Sequence, residues 1–385
     1  MVSLKGMTWD HERGVSPLKA ASIEFHRSHP NIDISWDARP LKDFEDYPVE
    51  LLAERYDLIL LDHPFIGTGV YKKVIEPLDK WLSMEYLEDQ KKNSVGKSYE
   101  SYEWNGHQWA LAVDAAAQVS AYRNDLLEKL GMVLPETWDD MFRFIHSLPE
   151  GYKVGLPLNP THAYCSFITL CAGLGGEHFW NESIGINSEA GEKALTLLKE
   201  LAPVIYKKSF EMDPIQMLNL MAEDDEVIYA PLIFGYSNYA QPGYAPNVLS
   251  FKNIPANNGE PKGSILGGVG IALSSYSQHK QEAINFVKYV SSEKCQRGLF
   301  FENGGQPGYR TAWMDDKINA NSNNFFKETL RTLDLAYMRP RYYGYNTFQK
   351  NAGKLINQFL SSDDRDIKAV LQILNDMYRN SKIPN

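Results

Sequence analysis

The chain has 385 residues, more than one hydrophobic core usually holds, so we expect two lobes. Its formal net charge of −10 and its scattered lysines and arginines argue against nucleic acid as a partner. No apolar run approaches the roughly 18 residues of a membrane-spanning helix, so we expect no membrane insertion.

The first sixty or so residues alternate between strand and helix patterns. Strands are predicted at residues 4–9, 32–36 and 58–61, with helices at 17–26 and 45–55 between them. Because this order is typical of a parallel sheet, ligand-facing residues are expected at the carboxyl ends of these strands.

The rest of the chain continues the alternation. Asn105-Gly106 lies between aromatic segments and predicts a hairpin turn. Further predicted elements are helices at 163–174 and 188–202, a strand at 227–233, and helices after residue 324.

Residues 119–145 carry the most distinctive pattern. A strand ends in Tyr122-Arg123-Asn124, Gly131 is placed to stop a short helix, and Pro135 precedes Thr137, which can cap a second helix at Trp138. This order resembles the extracellular solute-binding proteins of ABC transporters, specifically the carbohydrate-binding branch that includes maltose-binding protein. Arg123 stands where that family usually has asparagine.

Three further segments resemble the same family: residues 55–62 (RYDLILLD), 267–274 (GGVGIALS) and 303–310 (NGGQPGYR). The resemblance implies an α/β, periplasmic-binding-protein-like fold, with two α/β lobes, a three-segment hinge and a ligand cleft. The implied lobes are residues 1–114 plus 267–309 and residues 115–266 plus 310–385. Crossings between them are expected near residues 113–118, 263–268 and 307–313.

Two Asp-His pairs follow strands of the first lobe. Asp10-His11 comes after the first strand and Asp62-His63 after the third, and Asp114 at the first crossing can join them. Such a cluster can contact a polar ligand, hold a metal or act as acid and base. The alternative is that each aspartate caps the following helix or turn and each histidine bonds locally.

The second lobe supplies candidate contacts in Tyr164, Tyr236 and Asn238. The segment 231–244 (PLIFGYSNYAQPGY) resembles the family segment that lines the cleft floor with aromatic residues. Tyrosines in such a loop can also belong to the rim.

Arginines are candidates for holding an anion, because a guanidinium binds a carboxylate at two points. Arg13 and Arg310 are preferred over Arg339 and Arg341, and ordinary ion pairing is the alternative for each. Arg13 and Arg310 would favour a solute with a carboxylate or several hydroxyls, although the nearby carboxylates argue for an amine or a metal. Trp9 can stack on a ligand or pack in the core.

The sequence therefore predicts a protein that captures a small polar solute, a sugar, polyol or organic acid, for ABC-type uptake. ABC permease subunits are the further partners expected, with no cofactor and a monomeric chain. The alternative is a cytosolic enzyme or ligand sensor on the same fold, using the Asp-His cluster.

The resemblance implies a periplasmic or extracellular location. Met1 to Met7 lack the basic and apolar segments of an export signal. We therefore expect either a signal removed from this chain or a cytoplasmic location.

Overall fold

The computed structural model of the chain describes residues 1–257 and 259–382. The end of the predicted second lobe, residues 383–385, lies outside the described residues. None of the helices in the described ranges combines the length and the apolar character needed to cross a membrane.

The strands are β1 (Val2–Trp9), β2 (Ile32–Arg39), β3 (Leu58–Leu61), β4 (Glu103–Trp104), β5 (His107–Gln108), β6 (Ala110–Tyr122), β7 (Lys153–Val154), β8 (Trp180–Asn181), β9 (Gly185–Ile186), β10 (Val227–Phe234), β11 (Ser250–Lys252) and β12 (Leu266–Leu273).

The helices are α1 (Glu12–Ser28), α2 (Leu41–Asp46), α3 (Val49–Ala53), α4 (Ile66–Tyr71), α5 (Met84–Lys92), α6 (Asn124–Leu130), α7 (Trp138–Ser147), α8 (Pro160–Gly175), α9 (Ser188–Leu201), α10 (Pro214–Glu223), α11 (Lys280–Val290), α12 (Glu293–Cys295), α13 (Arg310–Trp313), α14 (Asp316–Asn321), α15 (Phe325–Asp334), α16 (Tyr345–Ser361) and α17 (Ile367–Ser381).

Local sequence signals account for several of these boundaries. Thr137 and Asp140 form a capping box at the start of α7, and Gly131 ends α6 with a φ of 64° that suits glycine. Asn105 and Gly106, both with positive φ, form the turn between β4 and β5. These three predictions are confirmed.

The main sheet has the strand order β2-β1-β3-β12-β6-β10-β7, with β11 also pairing with β6. β1 runs parallel to β2 and β3, whereas β12 is antiparallel to both β3 and β6. The parallel part was predicted, and it places the carboxyl ends of β1 and β3 at one edge of the sheet.

The long strand β6 serves both halves of the molecule. Residues 110–112 pair with the end of β12, and residues 118–122 pair with β10. At Gly268, with a φ of 90°, a side chain would meet the carbonyl oxygen of Asp114 at 2.4 Å. Pro307 forms an isolated antiparallel β-bridge with Asp114. The segment around Pro307 therefore also lies against β6, beside β12 and β10.

Buried side chains form separate clusters on the two sides of these segments. One cluster draws its residues from 4–113 and 269–300. The other two clusters draw their residues from 115–266 and 301–378, apart from Val95. This partition supports the division into two lobes, whose boundaries and relative motion remain predictions.

Candidate functional site

A cavity of about 80 Å³ lies where the ends of β1 and β3 face the second half of the molecule. It brings together five side chains that the sequence nominated: Trp9, Arg13, Asp62, Asp114 and Tyr236. We call the space around them the central cleft. Phe44, His162, Phe234 and Gly268 are among the other residues of its wall.

Arg13 and Asp114 form a buried ion pair in the central cleft. Nε and Nη2 of Arg13 donate to the two carboxylate oxygens at 2.7 and 2.6 Å, while Nη1 donates to the carbonyl oxygen of Gly235 at 2.8 Å. Burial raises the pKa of the Asp114 carboxyl, and the Arg13 charge opposes that shift. Because both carboxylate oxygens accept a hydrogen bond from a permanent cation, the pair is ionic at neutral pH.

A second ion pair joins Asp62, at the end of β3, to Arg339 in the second half. Burial alone would raise the pKa of Asp62, but the charge of Arg339 and the contact with His63 lower it to about 2. Nη1 of Arg339 also donates to Gln349 at 3.1 Å. A neighbouring cavity of about 50 Å³ shares Asp62 and Phe234 with the first, so the cleft continues past this ion pair.

The histidines near the cleft are uncharged at neutral pH. Burial, assisted by Arg13, lowers the pKa of His11 to about 4. Burial and the charge of Arg339 lower the pKa of His63 to about 4 and that of His162 to about 3. Of the three, His162 lines the cavity, and it offers the cleft a neutral imidazole.

The predicted Asp-His cluster does not form a single group. Nδ1 of His11 caps α1 by accepting from Arg13 N at 3.0 Å, and its Nε2 lies 3.3 Å from the Tyr244 hydroxyl. His63 is fully buried, and its Nε2 accepts from Arg339 N at 3.3 Å. In residues 1–257 and 259–382, no three His, Cys, Asp or Glu side chains are grouped to hold a metal. The alternative of an enzyme or sensor that uses this cluster gains no support here.

Six nominated residues lie outside the walls of both cavities as the described residues define them: His11, His63, Asp10, Tyr164, Asn238 and Arg310. Asp10 is exposed, and the Tyr164 hydroxyl lies 2.8 Å from that of Tyr345 in a fully buried position. Asn238 donates to Gly304 O at 3.0 Å, a contact that ties the second half to the third crossing. Arg310 is bound at two points by Asp334, at 2.6 and 2.7 Å, so its charge is already neutralised.

Sequence reasoning missed His162. It lies in the first turn of α8, where its backbone N–H is capped by Asn159 at 3.1 Å. The Asn159-Pro160 pair, which marks a helix start, was the available signal, because helix starts near strand ends commonly face ligands. Arg339 was nominated only as one of several arginines.

Two α/β halves, three connecting segments and a polar cleft at the strand ends define the periplasmic-binding-protein-like class. The chain belongs to the bacterial extracellular solute-binding protein family, whose model matches residues 9–297. The multiple sugar-binding protein of Streptococcus mutans is 21% identical over 259 residues, which span 58% of this chain and 59% of that protein.

Solved structures agree with this fold along almost the whole chain. Maltose-bound MalE3 of T. maritima aligns with a TM-score of 0.83 and 18% identity, covering 98% of this chain and 99% of that one. An ABC transporter solute-binding protein of Agrobacterium radiobacter, in complex with ribitol, aligns with a TM-score of 0.84 and 19% identity, covering 98% of both chains. At these identities the likeness shows the fold.

Proposed function

We propose that this protein captures a small uncharged sugar or polyol in the central cleft and delivers it to an ABC permease. The observation that carries the proposal is the internal pairing of the cleft charges. Arg13 is neutralised by Asp114, and Arg339 by Asp62, while the nearby histidines are uncharged at neutral pH.

A charged solute would be poorly matched to such a cleft. To bind a carboxylate, Arg13 or Arg339 would have to leave its aspartate, and a buried charge without a partner is costly. An amine would face the same difficulty at Asp62 or Asp114. A neutral solute can instead bond to the free lone pairs and N–H groups without breaking either pair, which narrows the range of solutes that the sequence left open.

The cleft also offers groups that suit a sugar or polyol. The indole Nε1 of Trp9 and the Nε of Arg339 are buried and lack a hydrogen-bond acceptor among the described residues. The rings of Trp9 and Phe44, with centroids 5.7 Å apart, supply apolar faces beside these donors. Hydroxyl groups can accept from the donors, and the C–H faces of a sugar can stack on the rings.

The size of the cleft supports a closing motion. Cavities of about 80 and 50 Å³ are far below the roughly 300–1,000 Å³ of typical ligand sites. Contacts cross the cleft from His11 to Tyr244, from Arg13 to Gly235 and from Asp62 to Arg339. The structure thus has the contacts of a closed form, and a solute would enter when the halves separate.

Solved structures of similar fold are consistent with this chemistry. Four of them contain maltose, ribitol, tagatose or mannitol, and three of these four are described as ABC transporter solute-binding proteins. The family description places its members outside the bacterial cell. Uptake through an ABC permease is therefore part of the proposal for this chain.

The test is a thermal-shift screen followed by calorimetry. Ribitol, mannitol, tagatose and maltose represent neutral solutes, and citrate, glutamate and spermidine represent charged ones. We expect at least one neutral compound to raise the melting temperature and bind stoichiometrically, with no saturable heat from the charged compounds. Selective binding of a charged compound would reject the proposed solute class.

A variant links the binding to the cleft. Phe44→Ala removes an apolar part of the wall without changing either ion pair, and it should weaken the binding of the neutral solute. Phe326→Ala, which removes an equally large buried ring that lines neither cavity, is the control for general destabilisation. Equal loss of affinity in both variants would place the solute elsewhere.

A further inference from the structure

A second and much larger space lies between the two halves. It has a volume of about 820 Å³, and Arg339 forms part of its wall as well as part of the wall of the central cleft. We call it the aromatic groove, because its walls carry Tyr71 and Trp104 from the first half and Trp180, Tyr342, Tyr343 and Tyr378 from the second.

Neighbouring groups hold these rings in place. Tyr71 and Tyr343 stack across the groove with centroids 4.0 Å apart and planes 9° apart. The Arg341 guanidinium lies 5.3 Å from the Trp104 ring and donates to the carbonyl oxygens of Glu100 and Glu103 at 2.5 and 2.8 Å. A ligand would therefore meet walls that are already positioned, which limits the entropy lost on binding.

The groove combines flat apolar faces with polar groups. Asn105, Glu182, Arg341 and Lys382 lie among the rings, and they offer an amide, a carboxylate and two cationic donors. A purely apolar ligand would remove water from these polar groups without offering them a hydrogen bond in return. A polyanion is disfavoured by Glu182 and by the net charge of −10.

We propose that the aromatic groove is a second binding site, for a carbohydrate of two or more sugar rings. Sugars present C–H faces that stack on aromatic rings and hydroxyls that bond to amides, carboxylates and guanidinium groups. The volume lies in the upper part of the roughly 300–1,000 Å³ range of ligand sites, which suits more than one ring. The site is distinct from the central cleft and does not depend on the function proposed for it.

The experiment uses the indole N–H signals of the tryptophans in heteronuclear NMR, assigned through single Trp→Phe variants. Maltotriose, cellotriose and xylotriose are the probes, each titrated to millimolar concentration. We expect at least one trisaccharide to shift the signals of Trp104 and Trp180. Trp81, which is 37% exposed and lies outside the groove, is the control signal.

Trp104→Ala and Trp180→Ala should each lower the affinity for that trisaccharide about 2- to 12-fold, the range expected for the loss of one aromatic contact. Trp81→Ala should leave its affinity unchanged. The proposal of a second site would be overturned if no trisaccharide shifts the signals of Trp104 and Trp180. It would also be overturned if the three variants and the unaltered protein bind the trisaccharide with equal affinity.

The indole of Trp9 reports separately on the central cleft. If a small neutral solute shifts Trp9 and no trisaccharide shifts Trp104 or Trp180, the proposed function stands and the second site is rejected. If a trisaccharide shifts Trp104 and Trp180 and none of the small neutral solutes shifts Trp9, the second site stands and the central cleft has lost its support.

Discussion

Arg13 and Arg310 make similar two-point contacts with aspartate but in different surroundings. The side chains of Arg13 and Asp114 are 4% and 1% exposed, and those of Arg310 and Asp334 are 33% and 25% exposed. Removing one member of a fully buried pair leaves a charge without a partner, whereas in a pair that is a quarter to a third exposed water can take the place of the lost partner. The two arginines therefore form a matched comparison.

We predict that Arg13→Ala lowers the free energy of unfolding by about 3–5 kcal/mol and Arg310→Ala by about 0–1 kcal/mol. Urea denaturation of both variants measures the difference. Because Arg310 lies outside the cleft walls, we also expect Arg310→Ala to keep its solute affinity in calorimetry. Similar losses of stability in the two variants would contradict the assignment of different roles.

The buried histidines predict how stability depends on pH. The pKa of His63 is about 4 in the folded chain, against roughly 6.5 when unfolded. The unfolded chain thus takes up a proton first as the pH falls, so the stability is complete above pH 6.5 and is lost between about pH 6.5 and 4. For His63 alone the loss reaches about 3 kcal/mol.

Calorimetric melting temperatures at successive pH values test this prediction. The unaltered protein should show little change from pH 7 to 8 and a decline below pH 6.5. His63→Gln, which cannot be protonated, should start from a lower stability but decline less steeply. Identical slopes in the two proteins would mean that His63 does not titrate on unfolding.

At the residue level, the sequence located part of the site. Trp9, Asp62 and Asp114 were found because strand ends can be recognised from hydrophobic patterns, and parallel strands bring their ends together. The partner of Arg310 could not be found in this way, since Asp334 lies in a helix whose position depends on the folded chain. The same applies to Arg339, whose partner Asp62 is 277 residues away.

Among the elements, the segment 337–343 contacts both halves. The backbone of Tyr337 donates to Ser264 O and accepts from Leu266 N, which lie at the second predicted crossing. The Arg341 side chain donates to carbonyl oxygens of the first half. Gly67 in α4 packs directly against this segment. A Cβ placed at Gly67 would lie 1.5 Å from the carbonyl oxygen of Arg341.

We predict that Gly67→Ala destabilises the protein, although alanine normally favours a helix over glycine by about 1 kcal/mol. The overlap with Arg341 must be relieved by moving backbone, so we expect a loss of about 1–3 kcal/mol. Gly298→Ala is the control, because nothing lies within 4 Å of a Cβ at that helical position. Chemical denaturation should separate the two variants. If the Gly67→Ala protein is as stable as the Gly298→Ala protein, residues 337–343 must move to accommodate the added Cβ at little cost in free energy.

The sequence predicted most elements but misplaced some of their ends. Helix α1 begins at Glu12 with His11 as its cap, five residues before the expected start at Pro17. Proline is common in the first turn of a helix, but here Pro17 lies inside α1. Packing of Arg13 and Gly14 in the buried interior extends the helix backwards, and this packing is not visible in the local pattern.

At the scale of the whole molecule, the order of the strands follows from general rules in one half only. The parallel strands β1, β2 and β3 obey the strand–helix–strand pattern. The antiparallel pairing of β12 depends on residues about 210 positions apart in the case of β3 and about 150 to 160 apart in the case of β6. Resemblance to a family supplied that part of the fold, which the hydrophobic pattern alone could not.

A variant of the Asp62–Arg339 ion pair can test whether the two halves open and close. It joins the end of β3 to the second half, and both side chains are largely buried. Asp62→Asn removes the charge that neutralises Arg339 and should therefore weaken the closed form. Asp79→Asn is a matched control, because Asp79 bonds to His107 within the first half.

We predict that unliganded Asp62→Asn has a larger radius of gyration in small-angle X-ray scattering than the unaltered protein or Asp79→Asn. If the lost contact is worth about 1–3 kcal/mol, solute affinity should fall roughly 5- to 150-fold, since binding must also recover the closed population. Saturating solute should restore the compact form. A radius of gyration that is unchanged in Asp62→Asn, together with full affinity, would mean that this ion pair does not control closure.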